Sequence, residues 1–113
     1  MTDVRAMLVG KVNDVWTRRI ETISSDALGE GEVLIAVEYS CINYKDGLST
    51  TEKGKVARID PLIPGVDLAG TVVESSDASI AVGSKVIAHG NDIGVAHNGG
   101  FATMARVPAK WVI

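Results

Sequence analysis

The sequence predicts a mainly β domain, a small barrel or sandwich carrying one or two short helices. Three observations lead there. The apolar residues fall in many short runs rich in valine and isoleucine, and turns built on glycine, asparagine, aspartate and proline separate those runs. Almost no stretch keeps the period of an amphipathic helix.

Taken in order, residues 4–10 and 15–23 are rich in β-branched and aliphatic side chains, and the polar run Lys11-Val12-Asn13-Asp14 between them predicts a hairpin. Residues 24–31 carry Ser, Asp, Gly and Glu without an apolar period and are expected to be loop. Residues 32–39 alternate as a strand does, with Val33, Ile35, Val37 and Tyr39 on one face and Leu34, Ala36 and Glu38 on the other. Both faces are largely apolar, so this strand is expected to be covered on both sides. Beyond it the alternation stops, Asn43 and Asp46 are turn or cap residues, and one or two helical turns are expected before Gly54.

The chain is organised around residues 61–73, which read PLIPGVDLAGTVV. Pro61 and Pro64 fix φ and exclude helix, Gly65 and Gly70 allow positive φ or close backbone approach, and the closing Gly-Thr-Val-Val is strand-like. This is a turn that feeds a strand running to Glu74. Asp67 lies between Val66 and Leu68, where burial of a carboxylate without a partner is costly or forces protonation, so a nearby group is expected to satisfy it. Residues 75–80 form a polar loop and residues 82–88 a turn entering a strand. With four glycines and two asparagines, residues 90–100 are expected to be a long irregular loop with a functional role. Residues 101–107 make the last strand and 108–113 lead out of it.

Composition removes several function classes. The 113 residues hold one domain, large enough to bury roughly 60–70% of the surface its unfolded chain exposes. No apolar run approaches the roughly 18–20 residues of a membrane span, and no basic-then-apolar leader opens the chain, so a soluble cytoplasmic protein with no membrane partner is expected. Net charge is −3, and the 11 basic residues are dispersed apart from Arg18-Arg19 and the run 53–58, which argues against nucleic acid. The single cysteine, Cys41, makes neither an internal disulfide nor a C-x-x-C motif, as suits a reducing compartment.

The run Pro64-Gly65-Val66-Asp67-Leu68-Ala69-Gly70-Thr71-Val72 resembles the P-G-H-E-x-x-G-x-V signature of the medium-chain dehydrogenases/reductases. Three further segments stand in the family's order: Asn43-Tyr44-Lys45-Asp46, the turn Gly83-Ser84-Lys85-Val86, and the stretch HNGGFATMARVPAKW at 97–111. Together they are similar to the N-terminal catalytic domain of that superfamily, and most similar to its zinc-free acrylyl-CoA reductase and quinone oxidoreductase-like subgroup. The resemblance implies a GroES-like, partly open β-barrel over residues 1–113. It implies NADPH-dependent reduction of an activated double bond in a small molecule, such as acrylyl-CoA, another enoyl thioester or a quinone, by a full-length homodimer. Hydride would go to the β carbon and a proton to the α carbon.

Zinc-dependent relatives carry a cysteine ligand at the position matching Asn43 and a histidine at that matching Val66, so no zinc is expected. The chain has no G-x-G-x-x-G between a strand and a helix and no room for βαβ units, so the Rossmann cofactor domain is expected outside it and the chain is read as a fragment. By resemblance Asn43 and Tyr44 are the catalytic candidates beside the nicotinamide, and Asn43, Tyr44 and Lys45 the cofactor-binding ones. Plainer roles stand beside these. Asn43 can cap a helical turn with Tyr44 packed under it, Lys45 can be solvated or paired with an aspartate, and Asp46 and Asp67 can hold turns through backbone N–H groups. Lys53, Lys55 and Arg58 can meet the phosphates of an acyl-CoA or form a solvated loop, and His89 and His97 read as loop or strand-end residues rather than ligands. The alternative function is a freestanding GroES-like binding or assembly module. A co-chaperonin of that kind needs an apolar mobile loop where residues 24–31 are polar.

Overall fold

A computed structural model describes residues 2–113. Six strands dominate it: β1 (Asp3–Val12), β2 (Val15–Ser24), β3 (Val33–Tyr39), β4 (Asp67–Ser75), β5 (Lys85–His89) and β6 (Met104–Val107). One short helix, α1 (Tyr44–Ser49), and 3-10 turns at Ser25–Ala27 and Ala109–Trp111 complete the elements. The architecture is mainly β, as the sequence predicts.

β1 and β2 form an antiparallel hairpin in which Val12 faces Val15, leaving a two-residue turn. Asn13 and Asp14 both have positive φ, 52° and 66°, the backbone of the tight turn that matches strand twist and that Asn and Asp tolerate best. The turn is therefore tighter than the expected run 11–14, and Lys11 and Val12 join the strand. The second sheet has the order β5-β4-β3-β6, all antiparallel.

The two sheets make a partly open barrel, joined by one crossing segment and extended by two shorter main-chain pairings. Residues 101–103 were expected to be strand, but β6 begins only at Met104, because this segment crosses between the sheets. The Met7 N–H donates to the Phe101 oxygen (2.9 Å) and the Thr103 N–H to the Arg5 oxygen (2.9 Å), while the Val37 N–H donates to the Thr103 oxygen (3.0 Å). Val9 and Leu62 exchange reciprocal main-chain bonds of 2.9 Å, and Ile87 and Ile113 do the same at 3.0 and 2.7 Å.

β3 runs through the middle, and the core lies on both of its faces. Val33 and Ile35 pack with Leu68, Val72, Ala88, Ile93 and Val107, whereas Leu34 packs with Val4, Ala6, Leu8, Leu28 and Ile63. The expected face holds as far as Val37. A register shift between Val37 and Tyr39 then breaks the alternation, and Tyr39 is 76% exposed rather than sharing the buried face of Val33.

The central stretch behaves as a turn that feeds a strand, although β4 starts already at Asp67, where it pairs with His89 of β5. The loop at 90–100 packs along the turn. The Gly99, Gly100 and Phe101 N–H groups donate to the oxygens of Ile63 (2.7 Å), Gly65 (3.0 Å) and Pro64 (3.0 Å), and the Ile63 N–H donates to Asn98 Oδ1 (2.8 Å). His97 braces the same region, with Nδ1 2.8 Å from the Asn98 oxygen, Nε2 2.8 Å from the Glu30 oxygen, and its ring edge-on to Trp111. Among the described residues no helix is long and apolar enough to cross a membrane.

β3 and β4 approach so closely at Gly70 that an added Cβ would run into the Ala36 carbonyl. Gly70→Ala is expected to destabilise the protein by about 1–3 kcal/mol in urea unfolding. Gly47→Ala, in α1 with open space around the new methyl, is expected to stabilise it by about 0.5–1 kcal/mol. Equal effects of the two substitutions would contradict the close strand approach.

Candidate active site

α1 is only six residues long, too short to persist on its own, so its position depends on how its first turn is tied down. Asn43 precedes it with extended backbone (φ −112°, ψ 164°), and the chain turns helical at Tyr44. Asp46, three residues on, is 1% exposed. Its Oδ2 accepts from the Asn43 main-chain N–H (2.9 Å) and from Asn43 Nδ2 (3.1 Å), and its Oδ1 accepts from the Val66 N–H (3.0 Å). The Asp46 N–H itself donates to the Asn43 main-chain oxygen (3.0 Å). One carboxylate thereby starts the helix and fastens it to the central turn.

Asp67 completes the arrangement from β4. Its Oδ1 accepts from the Cys41 N–H (2.9 Å) and its Oδ2 from Asn43 Nδ2 (3.0 Å), so this carboxylate finds the partners that the sequence demands for it. Both aspartates hold main-chain N–H groups. Among the described residues no buried side-chain nitrogen or oxygen lacks a hydrogen-bond partner.

The Asn43 amide sits between two carboxylates, and their positions assign its orientation, because only the NH2 end can face both. Its two amide hydrogens are consumed by Asp46 and Asp67. What remains for a ligand is Oδ1, an acceptor. Tyr44, next in the chain, is 84% exposed, so it does not pack under the helix, and its phenol is available to a ligand. Lys45 is exposed in the same turn and makes no ion pair among the described residues.

Asp67 also lines a groove of about 310 Å3 whose other walls include Tyr39, Cys41, Leu68, Ile87 and His89. The groove is largely apolar. Sequence reasoning names Asn43, Tyr44 and Lys45, which the structure places together at the start of α1, but it misses Tyr39, Ile87 and His89. Those three reach the groove through strand pairing, Asp67 opposite His89 and Ala69 opposite both Ile87 and Tyr39, which no local pattern encodes. Of the basic run 53–58, Lys53 lines a separate groove with Trp16 and Arg18. Among the described residues no group of three or more His, Cys, Asp or Glu side chains is gathered to hold a metal.

Comparison with known proteins follows the same lines. Residues 29–113 match the alcohol dehydrogenase GroES-like domain family. The chain is 43% identical over 109 residues to the putative quinone oxidoreductase YhfP of Bacillus subtilis, covering 96% of this chain and 33% of that protein. It is 45% identical over 94 residues to the acrylyl-CoA reductase AcuI of Ruegeria pomeroyi, covering 83% and 28%. A crystal structure of Bacillus subtilis YhfP with NAD bound superposes with a TM-score of 0.94 at 42% identity, covering 100% of this chain and 34% of that one. The YhdH oxidoreductase of Salmonella enterica in complex with NADP superposes with a TM-score of 0.91 at 36% identity, covering 96% and 34%. The chain thus spans about a third of the length of the relatives it matches.

Removal of the buried carboxylate leaves three N–H donors without a charged acceptor. Asp46→Ala is expected to cost at least about 2 kcal/mol in denaturant unfolding, and Asp67→Ala, at a half-exposed site with two donors, about 1 kcal/mol. The reverse ranking would show that Asp46 does not anchor α1.

Proposed function

The chain belongs to the alcohol dehydrogenase GroES-like domain family of the medium-chain dehydrogenase/reductase superfamily, and from that premise we propose that it is the substrate-side domain of a zinc-independent, NAD(P)H-dependent reductase of activated double bonds. Its proposed substrates are acrylyl-CoA or a quinone, which the names of its relatives carry, or another enoyl thioester. NADPH is the proposed electron donor, held chiefly by a cofactor domain in further sequence of the complete protein. The observation that carries the proposal is the Asn43 amide clamped between Asp46 and Asp67, the second of which also lines an apolar groove, with the exposed Tyr44 next in the chain.

The groove suits a flat, largely apolar ring bearing a polar substituent. Tyr39, Leu68 and Ile87 supply the apolar contact, and Asp67, which lines the same groove, holds the Asn43 amide whose Oδ1 is left as an acceptor. A nicotinamide dinucleotide, when bound, would supply the hydride. Asn43 orients a ligand by accepting an N–H or O–H, and since its own hydrogens are taken, it does not polarise a substrate carbonyl by donation. Carbonyl polarisation falls to Tyr44, whose O–H donates a hydrogen bond or a proton as the reduced substrate passes through an enolate. Lys45, one residue on, offers a positive charge to a cofactor phosphate. The residues at the two positions where zinc-dependent relatives carry ligands do not fit a metal. Val66 has no donor atom, and the Asn43 nitrogen faces carboxylates.

In the complete enzyme, Tyr44→Phe is expected to lower kcat about 10²-fold while leaving the melting temperature unchanged, because the hydroxyl is exposed and bears no packing. Wild-type turnover in this variant would rule out the donor role. Elemental analysis of the purified protein is expected to find no stoichiometric zinc. About one zinc per chain would overturn the zinc-independent assignment.

A further inference from the structure

The hairpin and the segment after α1 enclose a second groove, of about 590 Å3, lined by Trp16, Thr17, Arg18, Thr51, Glu52 and Lys53. Three features give it a definite chemistry. Trp16 is held in place, because its indole N–H donates to the Thr50 oxygen (2.8 Å), so an aromatic ring is fixed in the wall. Glu52, the one acid there, is neutralised by Lys11 Nζ at 2.9 Å. Arg19 is committed to Glu21 and to Thr17 Oγ1, but its neighbour Arg18 and Lys53 make no ion pair among the described residues. An immobilised aromatic ring beside two free cations recognises a nucleobase that carries phosphate.

We propose that this groove holds the phosphoadenosine end of a coenzyme A thioester, with adenine against Trp16 and phosphate between Arg18 and Lys53. The assignment rests on the thioester branch of the proposed function. It follows from where the groove lies. Thr50, to which Trp16 is bonded, caps the far end of α1, and Asn43 precedes the near end, so the two sites are separated by a six-residue helix, about 9 Å. A pantetheine arm in extended form covers that distance, which lets one molecule place its nucleotide in this groove and its thioester beside Tyr44. The sequence run 53–58 contributes only Lys53, and the second cation comes from the hairpin.

Adenosine phosphates also occur in NADPH, so the test separates the two sources. Isothermal titration of the protein with adenosine 3′,5′-bisphosphate, the end group of coenzyme A, is expected to show saturable binding that weakens with added salt and falls about tenfold or more in Arg18→Ala/Lys53→Ala. Both residues are exposed, so the double variant is expected to fold normally. Absence of binding, or equal binding by the double variant, overturns the site. Equal or tighter binding of adenosine 2′,5′-bisphosphate, the NADPH counterpart, overturns the coenzyme A assignment. In the complete enzyme the double variant is expected to raise KM for acrylyl-CoA about tenfold and leave that for the N-acetylcysteamine thioester, which has no nucleotide, unchanged. Equal losses on both substrates overturn the proposal. Failure at this groove with wild-type thioester reduction intact would leave the proposed function standing, whereas nucleotide binding without any thioester reduction would overturn that function and leave the groove an adenosine-phosphate site.

Discussion

The carboxylate of Asp46 is the constraint on which the site depends. A buried charge is tolerated only where hydrogen bonds replace its lost water, and three N–H groups from two separate segments do so here. Hydrogen bonds to a charged acceptor are worth roughly 1.5–3 kcal/mol each, enough to hold a helix of six residues that has little stability of its own. Because one of those donors is Val66, the position of α1 is tied to the central turn, and that turn is in turn held by the loop at 90–100.

Asp67 extends the same logic into β4. It shares the Asn43 amide with Asp46 and draws in the Cys41 N–H, so the chain entering α1, the helix and the strand meet at one amide group. The chemical consequence is a change of polarity. A free asparagine offers donors and an acceptor alike, but one flanked by two carboxylates shows a ligand only its oxygen. In the proposed reaction this assigns orientation of an N–H or O–H to Asn43 and leaves donation to Tyr44, which stands clear of the fold.

The barrel keeps this arrangement in place by burying β3 on both faces. Val33 and Ile35 on one side and Leu34 on the other fill two separate clusters, and the crossing segment 101–103 bonds to β1 and β3 at once. The register shift after Val37 ends that burial and turns Tyr39 outward, which converts the end of a core strand into the wall of a groove. The hairpin forms a sheet of its own packed against the four-stranded one, and its β2 strand and the segment after α1 line the second groove.

The sequence by itself determined whatever depends on near neighbours. The hairpin turn was legible because Asn13 and Asp14 tolerate positive φ, the start of α1 because Asn43 and Asp46 are cap residues, and the turn into β4 because Pro61, Pro64 and Gly65 restrict the backbone. The kinship was legible too, since its motifs are contiguous runs. Tertiary structure alone decided which side chains meet across the chain. That Asn43 also reaches Asp67 and that Lys53 lines a groove with Arg18 depend on how distant segments pack, and that His89 and Ile87 reach the first groove depends on strand register. Such pairings join residues tens of positions apart, and because one step of register carries a side chain to the opposite face of a sheet, no local pattern specifies them.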